Sequence, residues 1–354
     1  MAFASAKPWG VVLQANPITH QSVVPYRESM TKNTETAMHM LRRHALGALL
    51  LSPLMALAAS WPERPITIIV PAAAGGTTDI AARVLAEKMG SALKTSVIVE
   101  NKAGGGGSIG TAFVARAKPD GYTLLMGNIG PVAINFSLYK KLQYKETDLR
   151  GITNVISVPN ILVVNADTPV KNVQELIAWG KQKPLTAATS GIGQSPHMST
   201  EMFRQKAGLD VTLVPHSGAA PAVTALLGKQ TDFMIDNLPS SIPHIKSGKF
   251  RALAITSKER SPQLPDVPTM REAGVPMDVT AWFDLLAPAG TPDAIVHRIQ
   301  QVAHDAMQTA EIRSKFAELG GVPGGESAAE HDAFIAQERK NWAQIVKAAN
   351  LSLD

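Results

Sequence analysis

Ile66-Thr67-Ile68-Ile69-Val70-Pro71, followed by Gly75-Gly76-Thr77-Thr78-Asp79, is the stretch on which the reading of the fold turns. The apolar run has the length and β-branched content of a buried strand. The two glycines permit a tight turn and close approach of a ligand to the backbone. Thr77 or Thr78 can cap a helix that continues through Ala81, Ala82, Val84 and Leu85. The first amides of such a helix have no intrahelical partner and lie at the positive end of its dipole, so the turn makes a seat for an anion. Strand, Gly-bearing loop and helix recur along the chain. This repetition suggests a protein that holds acids by backbone rather than by charged side chains.

Working outward, the same alternation runs from Trp61 to the C-terminus. Strands are expected at Ser96 to Glu100 and Tyr122 to Met126, then in two runs, Gly151 to Ile156 and Ile161 to Val164, parted by Pro159-Asn160. A second set follows: strands at Leu185 to Ala188, Val211 to Val214, Asp232 to Ile235 and Arg251 to Thr256, with helices between them. Asn172 is placed to cap the helix from Val173 to Lys181. Ala281 to Ala287 reads as a return strand, and Pro292 to Gly320 and Ala328 to Ala348 as closing helices. The pattern predicts an α/β chain with two doubly wound sheets joined by two crossover segments, near Pro159 to Asn165 and Thr280 to Ala287. Residues 59–160 with 285–354 would form the first lobe and residues 161–284 the second. Ligands on such sheets bind outside the carboxyl ends of the strands, which here puts the site in the cleft between lobes.

The address of the chain is written before Trp61. Met40-Leu41-Arg42-Arg43-His44 is a basic start, Ala45 to Met55 an apolar run, and Ala56-Leu57-Ala58 a small-x-small end. Residues 38–58 therefore read as a secretory signal peptide, too short to span a bilayer stably. Residues 1–37 do not fit that signal and read as a non-native extension, with Met38 or Met40 as the initiator. The sequence holds no Cys, which excludes disulfides, thiolate metal sites, Cys nucleophiles and a lipoprotein anchor. The net charge of +5 shrinks to +2 beyond residue 58, because five Lys/Arg and two Asp/Glu lie before it, leaving 29 basic and 27 acidic residues. Nothing in that balance argues for nucleic acid.

Several constellations carry a chemical meaning. Gly105, Gly107 and Gly110 match G-x-G-x-x-G after a strand, but the next strand ends Leu125-Met126-Gly127-Asn128 without the acid that a dinucleotide ribose needs. A nucleotide cofactor is thus not expected; a plain tight turn and an anion cradle both stay open. Gly193-Gln194-Ser195-Pro196-His197 departs from the nucleophile elbow because His197 stands in place of its last Gly. Ser195 reads as a helix N-cap ahead of Pro196, and equally as a ligand contact at the helix start. His197 and Glu201 share a helix face, but two ligands without a third do not predict a metal. Asp79 complements its helix dipole and can brace the Gly75-Gly76 turn. Asp236 and Asn237 end a strand facing the cleft, where an acid either meets a ligand ammonium or hydroxyl or caps the next helix. Trp282-Phe283 is expected to pack in the core.

Taken in order, the motifs also resemble a family. Gly75-Gly76-Thr77-Thr78-Asp79, the run from Glu100 to Gly110, Asp120-Gly121-Tyr122-Thr123-Leu124-Leu125, the run from Ser190 to His197, Arg251-Ala252-Leu253-Ala254, Leu264-Pro265-Asp266-Val267-Pro268-Thr269 and Ala287-Pro288-Ala289-Gly290-Thr291-Pro292 are similar to motifs of the Bug-type (TctC-like) solute-binding receptors of tripartite tricarboxylate transporters. The resemblance implies a two-lobed periplasmic binding protein of type II-like fold, monomeric, without cofactor or catalytic residue. It would close on a small carboxylate and deliver it to membrane permease subunits. Carried onto this sequence, the ligand contacts fall at Ala73, Ala74, Gly75, Gly76, Thr77 and Thr78, at Ser190, Gly193, Gln194 and Ser195, and at Ser217, Gly218 and Ala219, with Asp236 tuning selectivity. Three departures stand out: Ala73-Ala74 for the family's Pro-Gly, Pro215-His216-Ser217-Gly218 for Pro-Tyr-Lys-Gly, and Asp284 for a small residue. The second and third are expected to border the cleft. An exported hydrolase or lyase, with Ser195 served by His197 or His216, and a carboxylate-sensing receptor are the competing readings.

Overall fold

Three parallel strands open the folded chain. In the computed structural model, which describes residues 61–353, β1 (Ile66–Val70) lies between β2 (Val97–Asn101) and β3 (Thr123–Asn128). The expected signal segment 38–58 and the extension 1–37 lie outside the described residues. A helix follows β1 (Thr77–Leu93), and a single 3₁₀ turn at Gly105–Gly107 leads from β2 into the Ser108–Ala115 helix. The trio repeats later: β5 (Leu185–Thr189) lies between β6 (Val211–Pro215) and β7 (Phe233–Asn237), all parallel. The helices Ser195–Ala207, Ala219–Leu227 and Leu238–Lys246 follow those strands in turn. Parallel strands need a crossover through a helix, and that requirement puts all their carboxyl ends on one edge.

The two trios are joined by β4, a single strand from Leu149 to Asn165, where two separate runs were expected. Its Pro159-Asn160 step does not break it. From Leu149 to Pro159 it pairs antiparallel with β9 (Thr280–Pro288), and from Asn160 onward with β7 and β8 (Phe250–Ile255). Proline ends a ladder because it has no N–H to donate, so Pro159 marks the change of partner rather than the end of the strand. β9 pairs with β4 from Thr280 and with β3 from Phe283. The sheets are therefore mixed: parallel trios flanked by antiparallel crossing strands. The stretch expected as one closing helix is two, Asp293–Gln308 and Ala310–Glu318. They are broken at Thr309, whose side chain caps the second by accepting from Ile312 N–H.

The Ala328–Ala348 helix packs on the crossing strands and supplies their polar ties. His331 is fully buried, with its Nε2 3.0 Å from Asp284 Oδ2 and its Nδ1 2.8 Å from Glu326 Oε1. Glu326 also accepts from Asn154 N–H of β4, and Asp332 accepts from Gly151 N–H. Asp284, expected at the cleft, thus lies in the core under β3 and β4. Trp282 and Phe283 are buried as expected, and Trp282 Nε1 donates to Glu338. Burial alone would lower the His331 pKa, but the two carboxylates outweigh it and raise it to about 9. Burial raises the Asp284 carboxyl despite its His331 partner, whereas Glu326, despite its own burial, is held below its ordinary value by His331 and the backbone. The imidazolium and its carboxylate partner are a buried ion pair, costly to break because the remaining charge loses its partner.

His331→Ala should therefore lower unfolding stability by about 3–5 kcal/mol in urea titrations near neutral pH. Because the folded pKa lies above the unfolded one, this contribution is complete below about pH 6.5 and is lost as pH rises through about 9. The gap between wild type and variant should narrow between pH 7 and pH 10.

Candidate functional site

The exits of β1, β2, β5 and β6 each run into a loop and a helix start, β7 runs directly into its helix, and these loops meet face to face. Ala73 N–H donates to Ser217 O at 3.1 Å. Gln194 Nε2 donates to Gly106 O at 2.7 Å, and the Thr77 and Ser240 hydroxyls are 2.8 Å apart. The approach is close enough to need glycine. A Cβ on Gly106 (φ +60°) would stand 2.1 Å from Ile192 O, and one on Gly218 (φ +154°) 2.9 Å from Ala73. Between the loops lies a cavity of about 320 Å³. That is small-solute size.

Pro71 and Ala72 of the β1 exit, Gly104 to Gly107 of the β2 exit, Ser190 to Ile192 with Gln194 of the β5 exit, and Pro215 to Ser217 of the β6 exit form the wall, with Tyr139 closing it. Of the residues expected from sequence, Ser190, Gln194 and Ser217 stand on this wall. Ala73, Gly76, Gly218 and Ala219 are instead taken up in the contact between the β1 and β6 loops, and Ala74 and Gly75 are exposed beside it. Thr77 and Thr78 are buried and cap nothing. The N-cap is Gly76, without a side-chain cap, and the Thr77 hydroxyl is spent on Ser240. Gly193 packs on Asn135, which a Cβ there would strike at 2.1 Å from Oδ1.

Ser195 is the first residue of its helix rather than the cap, which is Gln194. Its hydroxyl donates to Asn237 Oδ1 at 3.1 Å, not to a histidine. His197 is buried, its Nδ1 accepts from Gly193 N–H, and burial holds its pKa below the ordinary value. The Ser195–His197 pair therefore has a structural part. Asp79 does brace its turn. Burial would raise its pKa, but the Arg83 guanidinium, Gly75 N–H and Asn101 amide outweigh that and hold it below the usual carboxylate range.

Asp236 is wholly buried at the end of β7 and does not line the cavity. Ser241 Oγ donates to its Oδ2 at 2.7 Å, while Oδ1 has no hydrogen-bond partner among the described residues. Burial, only partly offset by Ser241, pushes its pKa up to about 7. Among the described residues no group of three or more His, Asp or Glu is placed to hold a metal.

Sequence reasoning left the Gly104–Gly107 run between turn and cradle; the fold puts it on the wall. Tyr139 was missed, since a lone tyrosine after a short helix carries no motif. His216, marked by the sequence as a departure from the family pattern and as a base for Ser195 in the hydrolase reading, borders the cavity.

The geometry of converging helix starts around a small polar cleft meets its match among known proteins. The sequence model described as "Tripartite tricarboxylate transporter family receptor" (TctC) matches residues 81–351. The chain belongs to that family. It is 38% identical over 299 residues to Protein BugT of Bordetella pertussis, covering 83% of this chain and 92% of that protein. The solved structure of periplasmic binding protein BugD superposes with a TM-score of 0.80 at 36% identity, and that of R. palustris Rpa4515 with adipate with 0.81 at 35%; each covers 83% of this chain and 100% of the other. MatC from Rhodopseudomonas palustris, with bound malate, gives a TM-score of 0.77 at 31% identity over 81% of this chain and all of that one. The fold is thus the two-lobed α/β fold of periplasmic binding proteins. The chain is a solute-binding receptor of the TctC family and not an enzyme.

Asp236→Asn keeps the Ser241 hydrogen bond and removes the ionisation. The folded pKa near 7 lies above the unfolded value of 3.8, so wild-type Asp236 is harmless below about pH 4, becomes increasingly destabilising between pH 4 and pH 7, and costs its full amount above 7. The variant should melt at a higher temperature than wild type at pH 8, with the difference shrinking by pH 5.

Proposed function

We propose that the cavity takes a small carboxylate by backbone amides and polar side chains, and that the chain then delivers it to the permease subunits of a tripartite tricarboxylate-type transporter. The observation that carries the reading is the meeting of loops from both strand trios around one cavity. The first turns of the helices beginning at Thr77, Ser108, Ser195 and Ala219 all lie at this edge. Each contributes partial positive charge and unpaired amides toward an anion. Among the described residues, no Lys or Arg lines the cavity. A carboxylate desolvated there is held by charge-assisted hydrogen bonds, each about twice as strong as a neutral one. Neutral donors also leave no buried cation to slow release.

The lobes we assign are residues 59–160 with 285–354, and residues 161–284. They open and close about β4 and the return to β9, as hinged binding proteins do. The contacts between Ala73 and Ser217 and between Gly106 and Gln194 belong to the closed form. Export by residues 38–58 to the periplasm and action as a monomer complete the reading. The adipate and malate bound to the two relatives support the ligand class.

Calorimetric titration with mono-, di- and tricarboxylates should find binding with Kd in the micromolar range or tighter. Gly106→Ala should weaken it at least tenfold, because the added methyl holds the Ile192 loop off, while the circular dichroism spectrum stays that of wild type. Failure of every carboxylate to bind, with sugars or amines binding instead, would overturn the reading.

A further inference from the structure

His216 occupies the β6 exit, and two facts set it apart. It lines the 320 Å³ cavity, and its Nε2 is buried without a hydrogen-bond partner among the described residues. A buried polar atom left unpaired is unfavourable, and in native proteins it usually points to a partner supplied from outside the chain. Its backbone is fixed, since His216 N–H donates to Thr189 O at 2.9 Å at the end of β5. The ring therefore hangs from a rigid strand edge at the wall of a cleft built for an anion.

We propose that His216 is the specificity-determining contact for a second anionic group: its imidazole is neutral in the ligand-free cleft and takes a proton from solvent when a dicarboxylate binds. This rests on the carboxylate reading of the cavity. The helix starts and the Gly104–Gly106 amides serve one carboxylate; His216 meets the other, as an imidazolium donating from Nε2. A monocarboxylate offers nothing to that ring and gains little from its charge.

On the cavity wall His216 is the side chain placed to titrate near neutral pH; Asp236, raised to about 7, is buried at the end of β7 off that wall, and its titration is common to wild type and a His216 variant. Among the residues lining the cavity the only other ionisable side chain is Tyr139, whose pKa burial pushes further up, so it stays neutral. The charged and titratable groups of the neighbouring loops are spent elsewhere. Asp79 is held by Arg83, Gly75 and Asn101, and Lys102 pairs with Glu100 and lies over the Phe113 ring. His197 accepts from Gly193, and Asp236 is held by Ser241. Burial keeps the free His216 ring below its ordinary value, so it is neutral at pH 7 until an anion arrives. A carboxylate at hydrogen-bond distance favours the charged form and moves the pKa upward by a unit or more, roughly tenfold in affinity.

The test is calorimetry on the purified chain with a panel of mono- and dicarboxylates that includes adipate and malate, between pH 6 and pH 8. Wild-type affinity for a dicarboxylate should fall about tenfold across that range. Its binding enthalpy should vary with the ionisation enthalpy of the buffer, which marks proton uptake. For monocarboxylates both effects should be absent. His216→Gln should flatten the profile to within about twofold; the variant also carries any contribution from the ligand's own ionisation. Equal slopes in wild type and variant, or binding to wild type without proton uptake, would overturn the assignment while leaving the receptor reading intact. If no carboxylate binds wild type at any pH, the receptor reading falls, and this one with it. Should the variant fail to fold, the buffer dependence and an NMR titration of the His216 ring in wild type decide alone.

Discussion

Parallel pairing is the constraint from which the rest follows. In each strand trio the chain must climb back through a helix before the next strand can start, so every strand exit lies on the same edge. Every helix start then lies there too, and the dipoles point at one region of space. Neither a motif nor a charged side chain is needed to make that edge attractive to an anion. Two such edges facing one another enclose a cavity whose walls are largely backbone.

What holds the two edges in register is a different device. The antiparallel pairing of β4 with β9 carries the chain between trios, and the Asp284–His331–Glu326 cluster ties both strands to the Ala328 helix. Ion clusters of this kind contribute less to net stability than their geometry suggests, because desolvation offsets attraction. Their effect is to fix one arrangement, since any slip strands a buried charge.

The site shows how little charge such recognition requires. Asp79, Asp236 and His197, the ionisable groups that the motifs brought forward, are all turned to the protein's own backbone and side chains. They shape the turns on which the amides sit. On the cavity wall itself stands His216, whose Nε2 has no partner among the described residues.

Much was written in the sequence. The β1–Gly75-Gly76–helix unit, its recurrences and the two crossings follow from local periodicity and turn chemistry, which depend on residues a few places apart. The family was legible too, because its motifs are strung in a fixed order. Caps were read less well: Thr77 and Ser195 have the right side chains, but partners far along the chain, Ser240 and Asn237, claimed them instead. Which residues face the cavity was decided by the approach of loops about a hundred residues apart, which brings Gly106 against Ile192 and Gly218 against Ala73. That approach consumed Gly76 and Ala219 in packing and left Gly104–Gly107, Tyr139 and His216 on the wall. Asp284 went to the core for the same reason: its partner, His331, lies 47 residues downstream. Local rules determine strands, turns and helix starts because their energies are local; the lining of a cleft belongs to contacts between distant segments, which only the folded chain sets.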